Sequence, residues 1–417
     1  MWSPVGCMNT RSELRYPVVP EKECPNCRTS SLSAFYEVRK VPVHSVLLMK
    51  TREEAVHAPT GDITLGFCPA CGFIGNTSFD GSLLAYSADY EETQGFSSTF
   101  QTFHRRLAVD LIDRYDLREK HIIEIGCGKG EFITLLCELG PNFGVGFDPS
   151  YVSDRNCSEA RERITFIKDF YSEKYADCQG DFVCCKMTLE HIPDVSGFLS
   201  TVRRAIGERE DTTVFFQVPD VARVLQEKAF WDIYHEHCSY FSRISLAHAF
   251  RSQGFDVLNL WTDYDDQYLM IEARPGKDVS ATVTPDANEP ESFQRSVASF
   301  QKHVPGALKA WKQALRSMHL DRQRVVLWGG GSKAASFLTT LGIGGEVDYV
   351  VDINPYRQGT FVAGTGHRIV GPDFLPGSRP DAVVIMNPIY RVEIQRTLQA
   401  MGLSPVLLDI TSHCYDA

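Results

Sequence analysis

A tyrosine, two histidines and a glutamate occupy four consecutive positions near the middle of the chain: Tyr234, His235, Glu236 and His237. Imidazole titrates near neutral pH, and an adjoining carboxylate or phenol can orient it or receive its charge. In extended backbone, Tyr234 and Glu236 would point to one side and both histidines to the other. The segment is therefore a candidate acid–base cluster. The alternative is an aromatic-rich turn whose histidines are held by hydrogen bonds.

Two cysteine pairs form a metal signature nearer the N-terminus. Cys24 and Cys27 make one Cys-x-x-Cys pair, and Cys68 and Cys71 make a second pair about 40 residues later. Four thiolates supplied in pairs fit a tetrahedral zinc ion, which leaves no coordination position open for water. We therefore predict a structural, not a catalytic, Zn²⁺ at these four residues.

The apolar segment His121–Ile125 runs into a glycine-rich turn followed by an apolar helical pattern. Gly126, Gly128 and Gly130 allow the backbone to approach a ligand, and the next helix would present free N–H groups. Asp148 follows about 20 residues later, at the end of a second predicted strand, where a carboxylate can accept both ribose hydroxyls. The spacing predicts a nucleoside site. A dinucleotide site would have its third glycine one residue later, so the turn favours S-adenosylmethionine (SAM).

This turn resembles the first motif of class I methyltransferases, in which an acid stands two residues before the first glycine, here Glu124. The resemblance implies further SAM contacts. Asp169 and Phe170, after the next strand, would face the adenine. Glu190 and His191, after the strand that follows, would lie beside the methionine part, with helix capping as the alternative role for His191.

A second glycine turn, VVLWGGGSKAASFL, covers residues 325–338, and Asp352 follows it at a similar spacing. The same reasoning predicts another nucleotide-like pocket, in which Lys333 at the helix start could meet a phosphate. The alternative is a tight α/β turn with a solvated lysine, and the residues alone leave both readings open.

Composition limits the function classes. The chain has 42 Lys+Arg and 53 Asp+Glu, a net charge of −11. This acidity argues against a nonspecific nucleic-acid binder and against attachment to anionic lipid. The 13 cysteines are an odd number, and the sequence has neither an apolar signal core at its start nor an apolar run of membrane-spanning length. We expect a cytoplasmic protein with reduced or metal-bound cysteines, and with neither nucleic acid nor membrane as a partner.

The length of 417 residues predicts two or three domains. The paired cysteines come first, and alternating strand and helix patterns follow. A polar, proline-containing stretch near residues 276–290 then leads into an amphipathic helix, with apolar residues three and four apart from Phe293 to Leu315. A second alternating region completes the chain. This order predicts the α/β fold class.

Together, the cysteine pairs, the SAM turn, the YxEH cluster and the second glycine turn resemble one family. It is the three-domain SAM-dependent sugar C-methyltransferases of antibiotic deoxysugar pathways, which methylate C3 of nucleotide-linked 4-keto sugars. The resemblance implies a zinc-binding domain at 18–80 and a class I Rossmann-like methyltransferase domain at 81–275. It also implies a second Rossmann-like, substrate-binding domain at 276–417. The substrate would be a small molecule, a nucleotide sugar, and the oligomeric state stays open.

The resemblance also assigns roles to residues. His237 would be the base that removes a proton next to the ketone, with Tyr234 and Glu236 beside it. Tyr90, in a tyrosine-rich segment, would be a further active-site residue, and either tyrosine could donate to the enolate. Phe100 would help to close over SAM. The substrate-binding positions would be Lys333, Asp352 and Asn387.

Two further hypotheses stay open. The chain reads Tyr264–Tyr268 where the family tends to have His-Gly-Gly, and Met386-Asn387 where it tends to have Trp-Asn. The second hypothesis is therefore an O-, N- or C-methyltransferase of a non-sugar natural product. The third is a non-catalytic SAM-binding or zinc-ribbon scaffold module, against which the acid–base cluster argues.

Overall fold

The computed structural model describes residues 23–29, 32–156, 158–276 and 289–413. Most of the predicted polar stretch at 276–290, and residues 18–22 of the predicted zinc-binding domain, lie outside these ranges. No helix of the described chain combines the length and the apolar character needed to span a bilayer.

The N-terminal part is built on a small antiparallel sheet. Its elements are β1 (Ser33–Pro42), α1 (Arg52–Val56), β2 (Thr60–Phe67) and β3 (Ile74–Asn76). In this sheet β1 pairs with β2 and β2 with β3. Both cysteine pairs lie at this end of the chain, the second of them in the turn between β2 and β3.

The central part alternates helices and strands around a seven-stranded sheet. In chain order the elements are α2 (Ser98–Tyr115), β4 (His121–Ile125), α3 (Glu131–Leu139), β5 (Phe143–Phe147), β6 (Ile164–Ile167), β7 (Phe182–Lys186), α4 (Val195–Ile206), β8 (Thr213–Pro219), α5 (Val221–Glu227), β9 (Ser239–Tyr240), α6 (Arg243–Ser252), β10 (Phe255–Asp263) and β11 (Tyr268–Pro275). The strand order is β10-β11-β8-β7-β4-β5-β6. The run β8-β7-β4-β5-β6 is parallel, and β11 and β10 are antiparallel additions. The carboxyl ends of the parallel strands therefore share one edge, where such sheets bind ligands.

Strand β9 does not join the central sheet. It pairs with β3, so that Ile74 lies opposite Tyr240 in the small N-terminal sheet. The acid–base segment immediately precedes β9 and is thereby fixed between the two parts of the chain.

The C-terminal part is a second α/β unit. It contains α7 (Glu289–Leu320), β12 (Val325–Trp328), α8 (Ser332–Leu341), β13 (Tyr349–Val351), β14 (Ile369–Val370), α9 (Leu375–Ser378), β15 (Ala382–Ile385), α10 (Arg391–Ala400) and β16 (Val406–Asp409). Its five-stranded sheet has the order β14-β13-β12-β15-β16, and all pairs are parallel. This architecture confirms the predicted α/β class, with Rossmann-like central and C-terminal units.

Single turns of 3-10 helix connect many of these elements. They are Gly81–Leu83, Ser153–Arg155, Glu159–Arg163, Glu173–Tyr175, Leu189–His191, Phe230–Asp232, Pro372–Phe374 and Pro388–Tyr390.

Helix α7 joins the three parts. The apolar stripe predicted from its sequence is buried, from Phe293 through Phe300 and Trp311 to Leu315, and only Leu308 of that stripe is half-buried. These side chains share one hydrophobic core with residues of β1, α5 and the C-terminal sheet. Because one face of this long helix is buried against all three parts, their relative position is fixed, and one cavity can be lined by the central and C-terminal parts together.

Candidate functional site

A cavity of about 1020 Å³ lies between the carboxyl edge of the central sheet and the C-terminal unit. Most of the predicted site residues line it, from one side or the other. These are Tyr90, Phe100, Glu124, Gly126, Gly128, Asp148, Asp169, Phe170, Glu190, His191, Tyr234, His237, Lys333, Asp352 and Asn387. Gly130 and Glu236 do not line it: Gly130 is the N-cap of α3, and Glu236 lies behind the cavity wall.

The first glycine turn forms a bare backbone surface in the cavity. Gly126 and Gly128 both have positive φ. A Cβ at Gly126 would lie 2.0 Å from Thr188 Oγ1, and one at Gly128 would lie 2.3 Å from Glu92 Oε1. Gly128 N–H donates to Asp148 Oδ2 at 2.9 Å, which fixes that carboxylate at the end of β5. The arrangement fits a nucleoside whose ribose meets Asp148 while the rest crosses the glycine backbone.

Two further acids of the predicted SAM site also line the cavity. Glu124 precedes the glycine turn in β4, and Asp169 follows β6. Glu124 is buried, and its carboxylate accepts the N–H of Ile133 at 2.9 Å, inside the first turn of α3. Burial raises the pKa of Glu124. Asp169 accepts from Phe170 N–H at 2.9 Å and from Tyr175 Oη at 2.7 Å. These bonds, together with Lys174, outweigh partial burial and lower the pKa of Asp169, so it carries charge at the far end of the cavity.

Glu236 is held behind the cavity wall by the N-terminal part of the chain. Its carboxylate accepts from His44 Nδ1, from the Ser45 backbone N–H and from Tyr90 Oη, each at 3.1 Å. Because Ala85 N–H donates to His44 Nε2, the proton of that imidazole resides on Nδ1. Burial opposes the charge of Glu236, but these hydrogen bonds and nearby His191 lower its pKa to about 2.

His237 turns the other way and faces the cavity. Its ring lies 4.7 Å from the ring of His191 and 4.7 Å from that of Tyr234, both edge to face. Burial, and then His191, lower the pKa of His237 to about 3, so the imidazole is neutral at physiological pH. The prediction that Tyr234 and His237 point to opposite sides is wrong, because residues 235 and 236 form a turn and not extended backbone. His235 packs on Phe79 instead.

Glu190 and His191 lie beside this imidazole. Tyr86 Oη and His191 Nδ1 are 3.1 Å apart. Both carboxylate oxygens of Glu190 are buried without a hydrogen-bond partner in the described structure, and burial raises the pKa of Glu190 to about 8. The ligating atoms of Glu190, His191 and His237 all lie within 4.8 Å of one another, an arrangement that could also hold a metal ion. A metal ion bound there would be coordinated by the His237 imidazole, whose nitrogen could then not accept a proton.

Lys333 reaches across from the C-terminal unit to the acid–base segment. Its ammonium forms an ion pair with Asp232, and Tyr234 Oη donates to the same carboxylate at 2.8 Å. Arg223 lies 3.5 Å from the other oxygen of Asp232. Lys333 is therefore not the solvated lysine of the alternative interpretation, and its charge already has one partner. Tyr234 and Tyr90 each donate their single hydroxyl proton to a carboxylate, so neither can hold a substrate oxygen without giving up that bond.

The C-terminal glycine turn repeats the geometry of the first one. Asp352 accepts the Gly330 N–H at 2.7 Å and the Asn354 N–H at 2.8 Å. Asn387 donates to Gln267 Oε1 at 2.9 Å. The two sequence segments that depart from the family pattern therefore meet in one patch of the cavity wall.

The four predicted zinc ligands converge at the N-terminal end. Cys24 Sγ and Cys71 Sγ are 3.7 Å apart, and so are Cys27 Sγ and Cys68 Sγ. Sulfurs 2.3 Å from a tetrahedral zinc ion would be about 3.8 Å apart, so the cluster fits the ion. Asn26 donates to the Ser245 carbonyl at 3.0 Å, which docks the first pair onto α6.

Sequence reasoning missed several residues of the site. His44 and Ser45 carry no motif, since only the tertiary fold brings them to Glu236. Asp232 was visible as a carboxylate next to the cluster. Lys186 could have been found from the sequence, because it is the one charged residue of β7, whose other residues are Phe-Val-Cys-Cys. Its hydrogen-bond partner His104 lies on α2.

Two family models match the chain. Residues 100–260 match a model described as a methyltransferase domain, and residues 272–404 match one described as a C-methyltransferase C-terminal domain. A curated relative, the C-methyltransferase NovU of Streptomyces niveus, is 26% identical over 310 residues, which cover 70% of this chain and 72% of that protein.

Solved structures resemble part of the chain at low similarity. A putative SAM-dependent methyltransferase from Listeria monocytogenes is 12% identical with a TM-score of 0.32, covering 42% of this chain and 100% of that one. The PH0226 protein of Pyrococcus horikoshii OT3 is 14% identical with a TM-score of 0.36, covering 46% and 100%.

Proposed function

The chain belongs to the multi-domain family of SAM-dependent C-methyltransferases, and from this premise we propose that it methylates a carbon next to a ketone in a nucleotide-linked deoxysugar. The observation that carries the proposal is His237. Its neutral imidazole faces the cavity between the cofactor edge of the central sheet and the C-terminal unit. Because the chain belongs to a family of enzymes, we do not retain the hypothesis of a non-catalytic scaffold module.

The cofactor half of the cavity fits SAM. The glycine backbone offers a surface without side chains. Asp148 can accept the ribose hydroxyls, and Asp169 places a negative charge at the adenine end. When bound, the cofactor supplies an electrophilic methyl group on a sulfonium. All other steps of the proposed reaction fall to this chain and its substrate.

His237 removes the proton from the carbon next to the substrate ketone. The electron pair of that C–H bond becomes the enolate, whose carbon would be the nucleophile for the methyl group that bound SAM would supply. Burial keeps His237 unprotonated and ready to accept. The same burial makes the imidazolium costly, but Glu236, Asp232 and the adjacent enolate all favour the protonated form. A positioned base of this kind contributes roughly 10²–10⁴ in rate.

Glu236 and Asp232 position the groups around the proposed base. Glu236 holds Tyr90 by accepting its hydroxyl hydrogen bond, and Asp232 holds Tyr234 and Lys333 beside His237. The Asp232–Lys333 pair links the central and C-terminal parts, so the base and the substrate-binding turn keep one relative position. Preorganised polar groups in a buried site act on developing charge more strongly than they would in water.

The C-terminal turn supports a nucleotide-linked substrate. Gly331, Ser332 and Lys333, at the start of α8, line the cavity together with Asp352 and Asn354. A helix start with its free N–H groups and a lysine suits phosphate oxygens. A volume of about 1020 Å³ stands at the upper end of the ~300–1,000 Å³ usual for one small ligand, so a cofactor and a second ligand can share the cavity.

The zinc ion is proposed as a structural element. With four thiolates around it no position remains for a substrate, so it would act by holding the two cysteine turns against the central part.

The test is methyl transfer from [methyl-¹³C]SAM to a panel of nucleoside-diphosphate-linked 4-keto deoxysugars, with the product examined by ¹³C NMR. The proposal predicts a new carbon-bound methyl group on the carbon next to the ketone. A label found only on oxygen or nitrogen, or no transfer to any such sugar, would contradict it.

The contact between Gln267 and Asn387 favours one second candidate, a non-sugar acceptor. Both residues line the cavity within the segments that depart from the family pattern. A nucleotide-sugar enzyme should be stabilised against heat by nucleoside diphosphates. No thermal shift with any of them would favour the non-sugar candidate.

A further inference from the structure

We propose that Lys186 and His104 form an anion subsite that binds the carboxylate of the amino-acid part of SAM. This inference rests on the SAM-dependent function proposed above and adds residues that the SAM motifs did not include. It begins from a buried ammonium that forms no ion pair within 4.0 Å in the described chain.

Lys186 is the last residue of β7 and lines the cavity. Its Nζ lies 2.7 Å from His104 Nε2 and 4.0 Å from the centre of the Phe132 ring. The ring of His104 lies 4.1 Å from that of Phe100. The ammonium is thus held by a neutral imidazole and a phenyl face, and no described carboxylate oxygen comes within 4.0 Å of it.

A buried ammonium without a counter-ion is costly, and proteins normally pair such charges. Only 9% of Lys186 is exposed. Burial lowers the pKa of Lys186, while the more distant carboxylates of Glu124 and Glu131 favour its charged form. Lys129 in the same cavity is different, since its Nζ donates to the carbonyls of Tyr90 and Ser150 at 2.7 and 3.0 Å. Lys186 therefore suits an anion that arrives with a ligand.

The position of Lys186 along the sheet identifies that anion. The strands run side by side in the order β6, β5, β4, β7. Asp169 follows β6, Asp148 follows β5 and the glycine turn follows β4. A nucleoside with its adenine near Asp169 and its ribose at Asp148 extends its remaining part toward β7. Two strand spacings, about 10 Å, separate β5 from β7, a span that the amino-acid chain of SAM can cover.

The test compares two ligands that share the nucleoside. S-adenosylhomocysteine carries the amino-acid chain, and 5′-methylthioadenosine lacks it. By isothermal titration calorimetry, Lys186→Met should weaken S-adenosylhomocysteine binding by about 10- to 100-fold, the usual effect of losing a hydrogen bond to a charged group. Binding of 5′-methylthioadenosine should change by less than about 2-fold, which also reports that the variant is folded.

The control is Lys312→Met, which changes an exposed lysine of α7 outside the cavity and should leave both affinities unchanged. A second measurement needs no variant: removing the carboxylate from S-adenosylhomocysteine should weaken its binding to the wild-type protein by at least about 10-fold. Equal loss of both ligands in Lys186→Met, or equal wild-type affinity with and without the carboxylate, would overturn the subsite. A wild-type protein that binds neither nucleoside would instead overturn the SAM-dependent function on which it rests.

Discussion

Glu236 and His237 are neighbours in the chain, but their side chains face opposite sides of the cavity wall. The carboxylate of Glu236 meets His44, Ser45 and Tyr90 of the N-terminal part, while the imidazole of His237 meets His191 and Tyr234 inside the cavity. One short segment thereby supplies both the proposed base and the charged group that anchors its surroundings.

Replacement of Glu236 by glutamine tests its positioning role. We expect kcat to fall by about 10-fold or more, with little change in S-adenosylhomocysteine affinity, because an amide oxygen holds the Tyr90 and His44 donors more weakly than a carboxylate does. A KM effect alone, with kcat unchanged, would contradict this role.

The same variant has a pH signature. The folded-state pKa of Glu236 is lowered from 4.5 to about 2, so its charge stabilises the fold fully above pH 4.5. That stabilisation is lost as pH falls from 4.5 toward 2. The difference in unfolding free energy between wild type and Glu236→Gln should therefore shrink below pH 4.5, which denaturant titrations at several pH values would measure.

The protonation state of His237 can be observed directly. Burial and His191 lower its pKa from 6.5 to about 3, so folding opposes its protonation. The experiment is an NMR titration of protein labelled with ¹³C at histidine, in which the His237 signal is the one missing from His237→Gln. The chemical shift of this signal should stay that of a neutral imidazole from pH 8 to pH 5. Titration near pH 6.5 would contradict this environment.

The cysteine cluster should carry metal. Metal analysis should find about one zinc ion per chain, and Cys68→Ser should lose it and lower the unfolding temperature by about 5 °C or more. Cys178→Ser is the matched control, since Cys178 lies outside the cluster. Full zinc content in Cys68→Ser would refute the assignment.

Glu393 of α10 holds the start of α2, the helix that carries Phe100. Its Oε2 accepts from Ser97 Oγ and Thr99 Oγ1 at 2.8 Å, from the Thr99 N–H at 3.2 Å and from Ser98 Oγ at 3.3 Å. We expect Glu393→Ala to speed release of S-adenosylhomocysteine by about 10-fold in stopped-flow measurements, because four charge-assisted bonds are lost. Glu291→Ala, an exposed acid on α7, should release it at the wild-type rate. Equal rates in the two variants would exclude this anchoring.

The sequence was sufficient for features that depend on local spacing. The glycine turn, the cysteine pairs and the buried stripe of α7 each follow from a short pattern with one physical solution. The neighbours of Glu236 could not be predicted, because His44 and Ser45 are almost 200 positions away and carry no pattern of their own. The Asp232–Lys333 pair could not be predicted for the same reason, since it depends on how the central and C-terminal parts pack.

Hydrogen exchange at the substrate carbon tests the central claim most directly. A nucleotide-linked 4-keto deoxysugar is incubated in D₂O with S-adenosylhomocysteine and enzyme, so that proton removal is followed without methyl transfer. The wild type should catalyse deuterium incorporation next to the ketone. The control His235→Asn should do the same, because His235 packs on Phe79 outside the cavity. His237→Gln should lose it by roughly 10²-fold or more while still binding S-adenosylhomocysteine. Exchange at the wild-type rate in His237→Gln would show that another group removes the proton.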